Sequence, residues 1–241
     1  MEIIKEPTYE ALGQRVAADL LCIATKTENP LICPTSGSTP MALYKALVQQ
    51  IHEQKIDYSN WRFVGLDEWA GMNEQDKGSC RNSLNTVLFE PLGITEDKIS
   101  FFNGRAADLE NECKRVEDFI RQHGGISVAV VGLGMNGHIG MNEPGTPVSL
   151  PSHVAQIAAE TQQIGQKYFD EPKTITHGLT LGLATLLKAQ HLFLMVNGEK
   201  KAPIVKRIVE ETPTEELPAT MLRQHSDFRI YLDTDAAQLL P

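Results

Sequence analysis

The chain has 241 residues, long for one domain but within the range of a single α/β domain, and able to bury a sizeable core. Hydrophobic residues make up 41%, charged residues 22%, and the formal net charge is -9, which argues against nonspecific nucleic-acid binding because that needs a basic face. It leaves room for a small anionic ligand, since a few local cations and backbone N–H groups bind a phosphate against the global sign. Cys22, Cys33, Cys80 and Cys113 form no C-x-x-C pair, "MEIIKEPTYEALG" shows no basic segment followed by an apolar run, so no signal peptide is expected, and no apolar run reaches membrane-spanning length. The expectation is a cytoplasmic protein with reduced, mostly buried thiols, no zinc and no membrane partner.

Along the chain, "MEIIKEP" reads as a first strand and "TYEALGQRVAADLLCIATKTE" as a helix with Thr8 as N-cap. "PLICP" is a short apolar strand. A small-residue loop, "TSGST", then runs into a helix, with Pro40 in its first turn and Thr39 as the cap before it. "WRFVGLDEWAGM" gives a strand ending near Asp67, "SCRNSLNTVLFEPLG" a helix and "ISFFNG" a strand. "DLENECKRVEDFIRQHGG" is an amphipathic helix stopped by a glycine pair, and "ISVAVVGLG" an apolar strand of the kind buried on both faces. No element is legible from residue 146 to about 175. "THGLTLGLATLLKAQ" reads as a helix with a glycine-containing entry, "HLFLMVNG" as a strand, "EKKAPIVKRIVEE" as a helix and "FRIYLD" as a last strand. This alternation predicts one α/β domain over residues 1–241, with a mostly parallel, Rossmann-like sheet and helices on both faces. Sites in such sheets gather at the carboxyl ends of strands, which singles out loops 34–39, 67–72, 132–146 and 197–201.

The third loop, "VGLGMNGHIGMNEPG", satisfies G-x-G-x-x-G at Gly132, Gly134 and Gly137. A dinucleotide fingerprint needs a helix directly after the glycines and an acidic residue about twenty positions on. Here two more glycines and two prolines follow, and Pro144 through Ala159 contain no Asp or Glu. A flexible turn is the better reading, one that presents His138 and Glu143 as an acid/base pair. Taken singly, His138 fits a satisfied structural histidine and Glu143 an ordinary loop carboxylate. Ser36, Gly37, Ser38 and Thr39 suit an anion cradle at a helix N-terminus and suit plain capping equally. Asp67 and Glu68 follow a strand; Lys200 and Lys201 sit at a strand-to-helix turn, where a charge pair is usually solvated.

The set "PTSGSTPMALYKAL", "GLDEW", "GLGMNGHIGMNEPG", "HGLTLGLATLL" and "NGEKKA" resembles, over nearly the whole chain, the glucosamine-6-phosphate deaminase/isomerase family, which shares its fold with 6-phosphogluconolactonases. "LDEW", the Asn136 turn and "TQQ" are most similar to its galactosamine-6-phosphate branch. The resemblance implies a reaction without metal or nucleotide cofactor, in which an amino-sugar 6-phosphate loses ammonia and becomes a ketose 6-phosphate. It implies Asp67 as the base at C2, His138 as the ring-opening acid/base, Glu143 as the carboxylate behind it, and the Ser36–Thr39 loop with Lys201 as the phosphate site. Asn136 stands where the glucosamine enzymes usually carry Asp, so carboxylate support for His138 is expected mainly from Glu143. Lys167 stands where they carry a phosphate-binding Arg; it keeps the charge without the bidentate fork, and a solvated helix cation fits it as well. Two other functions share parts of this pattern. Lactonases typically carry Asp-Glu-Arg at the Asp67-Glu68-Trp69 position and lack the Asn142-Glu143-Pro144 run; a sugar-phosphate-binding regulator needs no base. The sequence leaves the oligomeric state, homo-oligomer included, and the C4 epimer of the sugar open.

Overall fold

The computed structural model describes all 241 residues. Strand β1 (Glu2–Glu6) leads into helix α1 (Tyr9–Ala24), β2 (Leu31–Cys33), α2 (Met41–Gln54), β3 (Arg62–Val64), β4 (Asp67–Trp69) and α3 (Cys80–Leu84). Then come β5 (Ile99–Ser100), α4 (Leu109–Gln122), β6 (Val128–Val131), β7 (His153–Gln156), α5 (Ala159–Gly165) and β8 (His177–Thr180). The chain closes with α6 (Leu183–Leu186), β9 (His191–Val196), α7 (Ala202–Glu210), α8 (Pro218–Met221), β10 (Phe228–Asp233) and α9 (Thr234–Ala237).

Seven strands form one wholly parallel sheet in the order β1-β10-β9-β6-β2-β3-β5. Its apolar runs split between two cores, as the period-2 alternation of a strand requires. Ala129, Val131, Leu192 and Leu194 face one core with Val116 of α4, Val205 of α7 and Ala236 of α9. Val128, Val130, Phe193 and Met195 face the other with Leu12, Val16 and Leu20 of α1 and Leu43 and Leu47 of α2. Helices therefore cover both faces, as the sequence predicts. Thr8 caps α1, accepting from the Ala11 N–H at 3.1 Å, and Gly124 and Gly125 follow the end of α4.

Three expectations need correction. Thr39 does not cap α2: Pro40 occupies the N-cap position, and the Ala42 N–H of the first turn donates instead to the Tyr9 hydroxyl of α1 at 3.0 Å. The strand read in "WRFVGLDEWAGM" as ending near Asp67 ends at Val64, and Asp67 opens β4, which belongs to a second, antiparallel sheet in the order β4-β8-β7. The helix read from Thr176 onward is a strand as far as Thr180 and a single helical turn only from Leu183. Pairing on both sides decides this: Thr180 lies opposite Asp67 on one flank and His153 on the other. Two such ladders outweigh a weak local helix preference.

Candidate active site

At the carboxyl ends of β2, β6 and β9 the loops surround a cavity of about 590 Å³. Ser36, Gly37, Ser38, Thr39, Asp67, His138, Lys167 and Lys201 all line it. Asn136 and Glu143 do not; they stand behind the imidazole.

Two tyrosines set the cradle. Tyr44 of α2 accepts from the Thr35 N–H at 3.0 Å and donates to the Thr35 carbonyl at 2.6 Å. Tyr9 of α1 reaches the carbonyls of Ser38 and Thr39 at 2.8 and 2.9 Å. With the Thr35, Ser38 and Thr39 carbonyls engaged by tyrosines, the hydroxyls and N–H groups of the loop remain available to an anion in the cavity.

The opposite wall carries the cations. The Lys201 ammonium donates to the Leu133 carbonyl at 2.5 Å and has no carboxylate within ion-pair distance. Burial first, then the nearby Lys167 charge, lower its pKa to about 8, with Glu160 opposing them. Lys167 itself lies over the Tyr168 ring, 4.9 Å from the centroid. Two cations that repel one another across a cavity lined with N–H groups and hydroxyls are arranged for an anion.

Asp67 is 8% exposed, and burial raises its carboxyl to about 6, only partly offset by a hydrogen bond from Cys80. Its neighbour Glu68 has a different task. It is fully buried and accepts backbone N–H bonds from Trp69, Cys80 and Arg81 at 2.8, 3.0 and 3.0 Å, binding β4 to the start of α3. Burial pushes Glu68 up to about 7 against those donors. Adjacent carboxylates alternate sides of a strand, so one meets the cavity and the other the protein. Gly140 passes so close to this place that a Cβ there would sit 2.7 Å from Thr180 Oγ1 and 3.4 Å from Asp67 Oδ2.

The glycine-rich turn is no nucleotide fingerprint: no helix follows β6 before α5. A Cβ at Gly134 would lie 2.3 Å from His138 Nδ1, so the bare glycine makes room for the ring. His138 Nδ1 is 2.7 Å from Asn136 Oδ1, and Asn136 Nδ2 donates to Glu143 Oε2 at 2.8 Å. Since a carboxylate only accepts, the amide nitrogen must face Glu143 and the amide oxygen must face the ring. Nδ1 therefore carries the proton and Nε2 keeps its lone pair. Glu143 stands behind the ring with its Oε2 3.6 Å from Nδ1, and its hydrogen-bonded contact with His138 runs through Asn136. Burial lowers the His138 pKa, Glu143 and Glu160 raise it, and Lys201 lowers it.

Apart from Lys167, the roof of the cavity was not read from the sequence as an element. Residues Glu160, Thr161, Ile164, Gly165, Lys167 and Tyr168 close the cavity from α5 and the 3-10 turn after it. Trp69 stacks edge-on against Phe169, with centroids 6.0 Å apart, beneath Gly165. The only local signal was a short helix-compatible run, "AETQQIGQKY", with Glu160 in its first turn.

A parallel α/β sheet whose crevice holds a buried carboxylate, an oriented imidazole and two cations beside a hydroxyl-rich loop is an enzyme-like fold with a site suited to a small anion. Residues 5–231 match the family described as glucosamine-6-phosphate isomerases/6-phosphogluconolactonase, and the chain belongs to it. It is 35% identical over 242 residues to the glucosamine-6-phosphate deaminase of Geobacillus sp. (strain WCH70), covering 100% of this chain and 96% of that one. It is 36% identical over 226 residues to AgaI of Escherichia coli (strain K12), named as a deaminase of provisional assignment, covering 94% and 89%. A solved monomeric glucosamine-6-phosphate deaminase of the NagB superfamily superposes with a TM-score of 0.96 at 31% identity, covering 99% of this chain and 100% of that one. The 6-phosphogluconolactonase of Trypanosoma brucei shares the fold at a TM-score of 0.75 and 20% identity. No helix is long and apolar enough to cross a membrane.

Proposed function

We propose that the protein converts an amino-sugar 6-phosphate into a ketose 6-phosphate and ammonia. The observation that carries this is the buried Asp67 carboxylate, raised to about 6, in one cavity with an imidazole fixed through Asn136. A carboxyl near that value is ionised at neutral pH and still basic enough to take a carbon-bound proton. The phosphate is held by the Ser36–Thr39 loop and Lys201, with Lys167 from the roof. As the ring opens, His138 Nε2 takes the proton of the C1 hydroxyl and passes it to the ring oxygen, so that the C1 carbonyl forms as the bond from C1 to the ring oxygen breaks. Asp67 removes the C2 proton, the electrons pass toward C1 to give an enolamine, and reprotonation at C1 leaves an imine at C2. Water adds to the imine, ammonia departs, and the ketose remains. The relatives' names support the deaminase reading, and a regulator that only bound sugar phosphates would have no use for a buried base.

Galactosamine 6-phosphate is the expected preferred epimer, with tagatose 6-phosphate as product, although the relatives named for a substrate are glucosamine enzymes. Of the two residues behind that expectation, Asn136 is engaged with His138 and Glu143, so the choice rests on Trp69 in the cavity wall. A site that hydrogen-bonds one C4 hydroxyl orientation rejects the other strongly. The experiment measures ammonia release from galactosamine 6-phosphate and glucosamine 6-phosphate, and hydrolysis of 6-phosphogluconolactone, with one preparation. Higher kcat/KM on galactosamine 6-phosphate is expected. A preference for glucosamine 6-phosphate overturns the epimer assignment alone; lactone hydrolysis without ammonia release overturns the deaminase.

A further inference from the structure

Helix α5 touches the His138 network at two points that the reaction scheme does not use. The Thr161 hydroxyl lies 3.4 Å from His138 Nδ1, the structure gives it no other hydrogen-bond partner, and Thr161 is 9% exposed. One turn earlier, the Ala158 N–H donates to Glu143 Oε1 at 3.3 Å. The helix thus meets both ends of the His138–Asn136–Glu143 chain. The same short segment carries Lys167 at the cation end of the cavity, six positions beyond Thr161. Around the ring the charged groups are Glu143 behind it, Glu160 on α5 and Lys201 at the start of α7.

We propose that Thr161 is a positioning residue that couples phosphate binding to the imidazole of His138. An anion between Lys201 and Lys167 draws the segment bearing Lys167 onto the cavity. Through α5 this sets the Thr161 hydroxyl as a second acceptor on the Nδ1–H, beside Asn136, and keeps the Ala158 N–H on Glu143. The ring, already bonded to Asn136, is then held more firmly with Nε2 toward the substrate when the phosphate end is filled. A substrate lacking its phosphate would meet a less ordered shuttle, so the phosphate contributes to kcat as well as to KM. The inference rests on the reading of His138 as the proton shuttle.

The test follows the imidazole nitrogens of His138 by NMR while inorganic phosphate is added to the native protein and to Thr161→Val, Thr161→Ser and Lys167→Ala. Phosphate should shift the Nδ1 resonance in the native protein and in Thr161→Val leave it nearly unmoved at equal phosphate occupancy. Thr161→Ser, which keeps the hydroxyl, should restore the response, and Lys167→Ala should lose it even at concentrations that fill the Lys201 site. In turnover, Thr161→Val should lower kcat about five-fold, the scale of one weak hydrogen bond, with KM changed less than two-fold. A native protein whose imidazole ignores bound phosphate overturns the proposal. So does a Thr161→Val variant that responds like the native protein. Absence of ammonia release from either amino-sugar phosphate strikes the deaminase reading instead, and leaves the imidazole titration readable.

Discussion

Asn136 stands between His138 and Glu143, its amide oxygen 2.7 Å from the ring nitrogen and its amide nitrogen 2.8 Å from the carboxylate. The amide transmits orientation without bringing a charge of its own next to the ring. The imidazole therefore keeps the neutral form that burial favours.

Removing that link should cost turnover without costing affinity. Asn136→Ala leaves Glu143 Oε2 beyond bonding distance of the ring, at 3.6 Å, and frees the imidazole to rotate. A kcat loss of about ten-fold or more is expected, with KM little changed because the amide does not line the cavity. If the three groups act as one unit, Asn136→Ala combined with Glu143→Ala should be no slower than the worse single variant. Additive losses would show that Glu143 acts by another route.

Asp67→Asn should abolish ammonia release and leave phosphate binding largely intact, because it removes the base and keeps the shape. It should also stabilise the fold. The folded carboxyl is raised to about 6 from an ordinary 3.8, so the folded state holds its proton more tightly than the unfolded chain does. Stability then falls as pH rises from about 4 to 6, and the cost is fully present above 6. At pH 7 that cost is of order 1–3 kcal/mol, at about 1.4 kcal/mol per pKa unit, and the uncharged amide avoids it. Denaturant unfolding of both proteins at pH 7 and pH 4 checks this; equal stability at both pH values would remove the burial argument.

Lys201→Ala should raise KM about ten-fold or more and change kcat less, since a phosphate contact is made in ground and transition states alike. The pH dependence has a definite sign. The free ammonium titrates at about 8, so it is charged below that and neutral above, and phosphate-ester affinity should weaken as pH rises through 8. Binding measured from pH 6.5 to 9.5 should show this fall in the native protein and a flatter profile in Lys201→Ala. An unchanged KM would take Lys201 out of the site.

Glu68 gives a contrast with its neighbour. Glu68→Ala strands three buried backbone N–H groups, those of Trp69, Cys80 and Arg81. A loss of about 3 kcal/mol or more is expected, from unsatisfied donors plus the cavity left behind. Thermal unfolding reads it, and a variant as stable as the native protein would show those N–H groups finding water.

The parallel sheet and its long helices were legible because each carries its own period. The apolar strands that split cleanly between two cores and the stripe Leu12, Val16, Leu20 of α1 report their burial in the order of residues. His138, Lys201 and the Ser36–Thr39 loop were legible because they lie in the loops that follow such strands, where a parallel sheet opens its crevice, and Asp67 because it comes three residues after β3 ends. Tertiary structure alone decided the rest. Strands β4, β7 and β8 hold three or four residues each, too few for a period, and they exist because distant segments pair, Asp67 with Thr180 and Thr180 with His153. The roof is placed by Phe169 against Trp69, a contact across a hundred residues of chain. The relay through Asn136 depends on which way one amide points, and the carboxylate on its far side together with the His138 backbone N–H on its near side settles that.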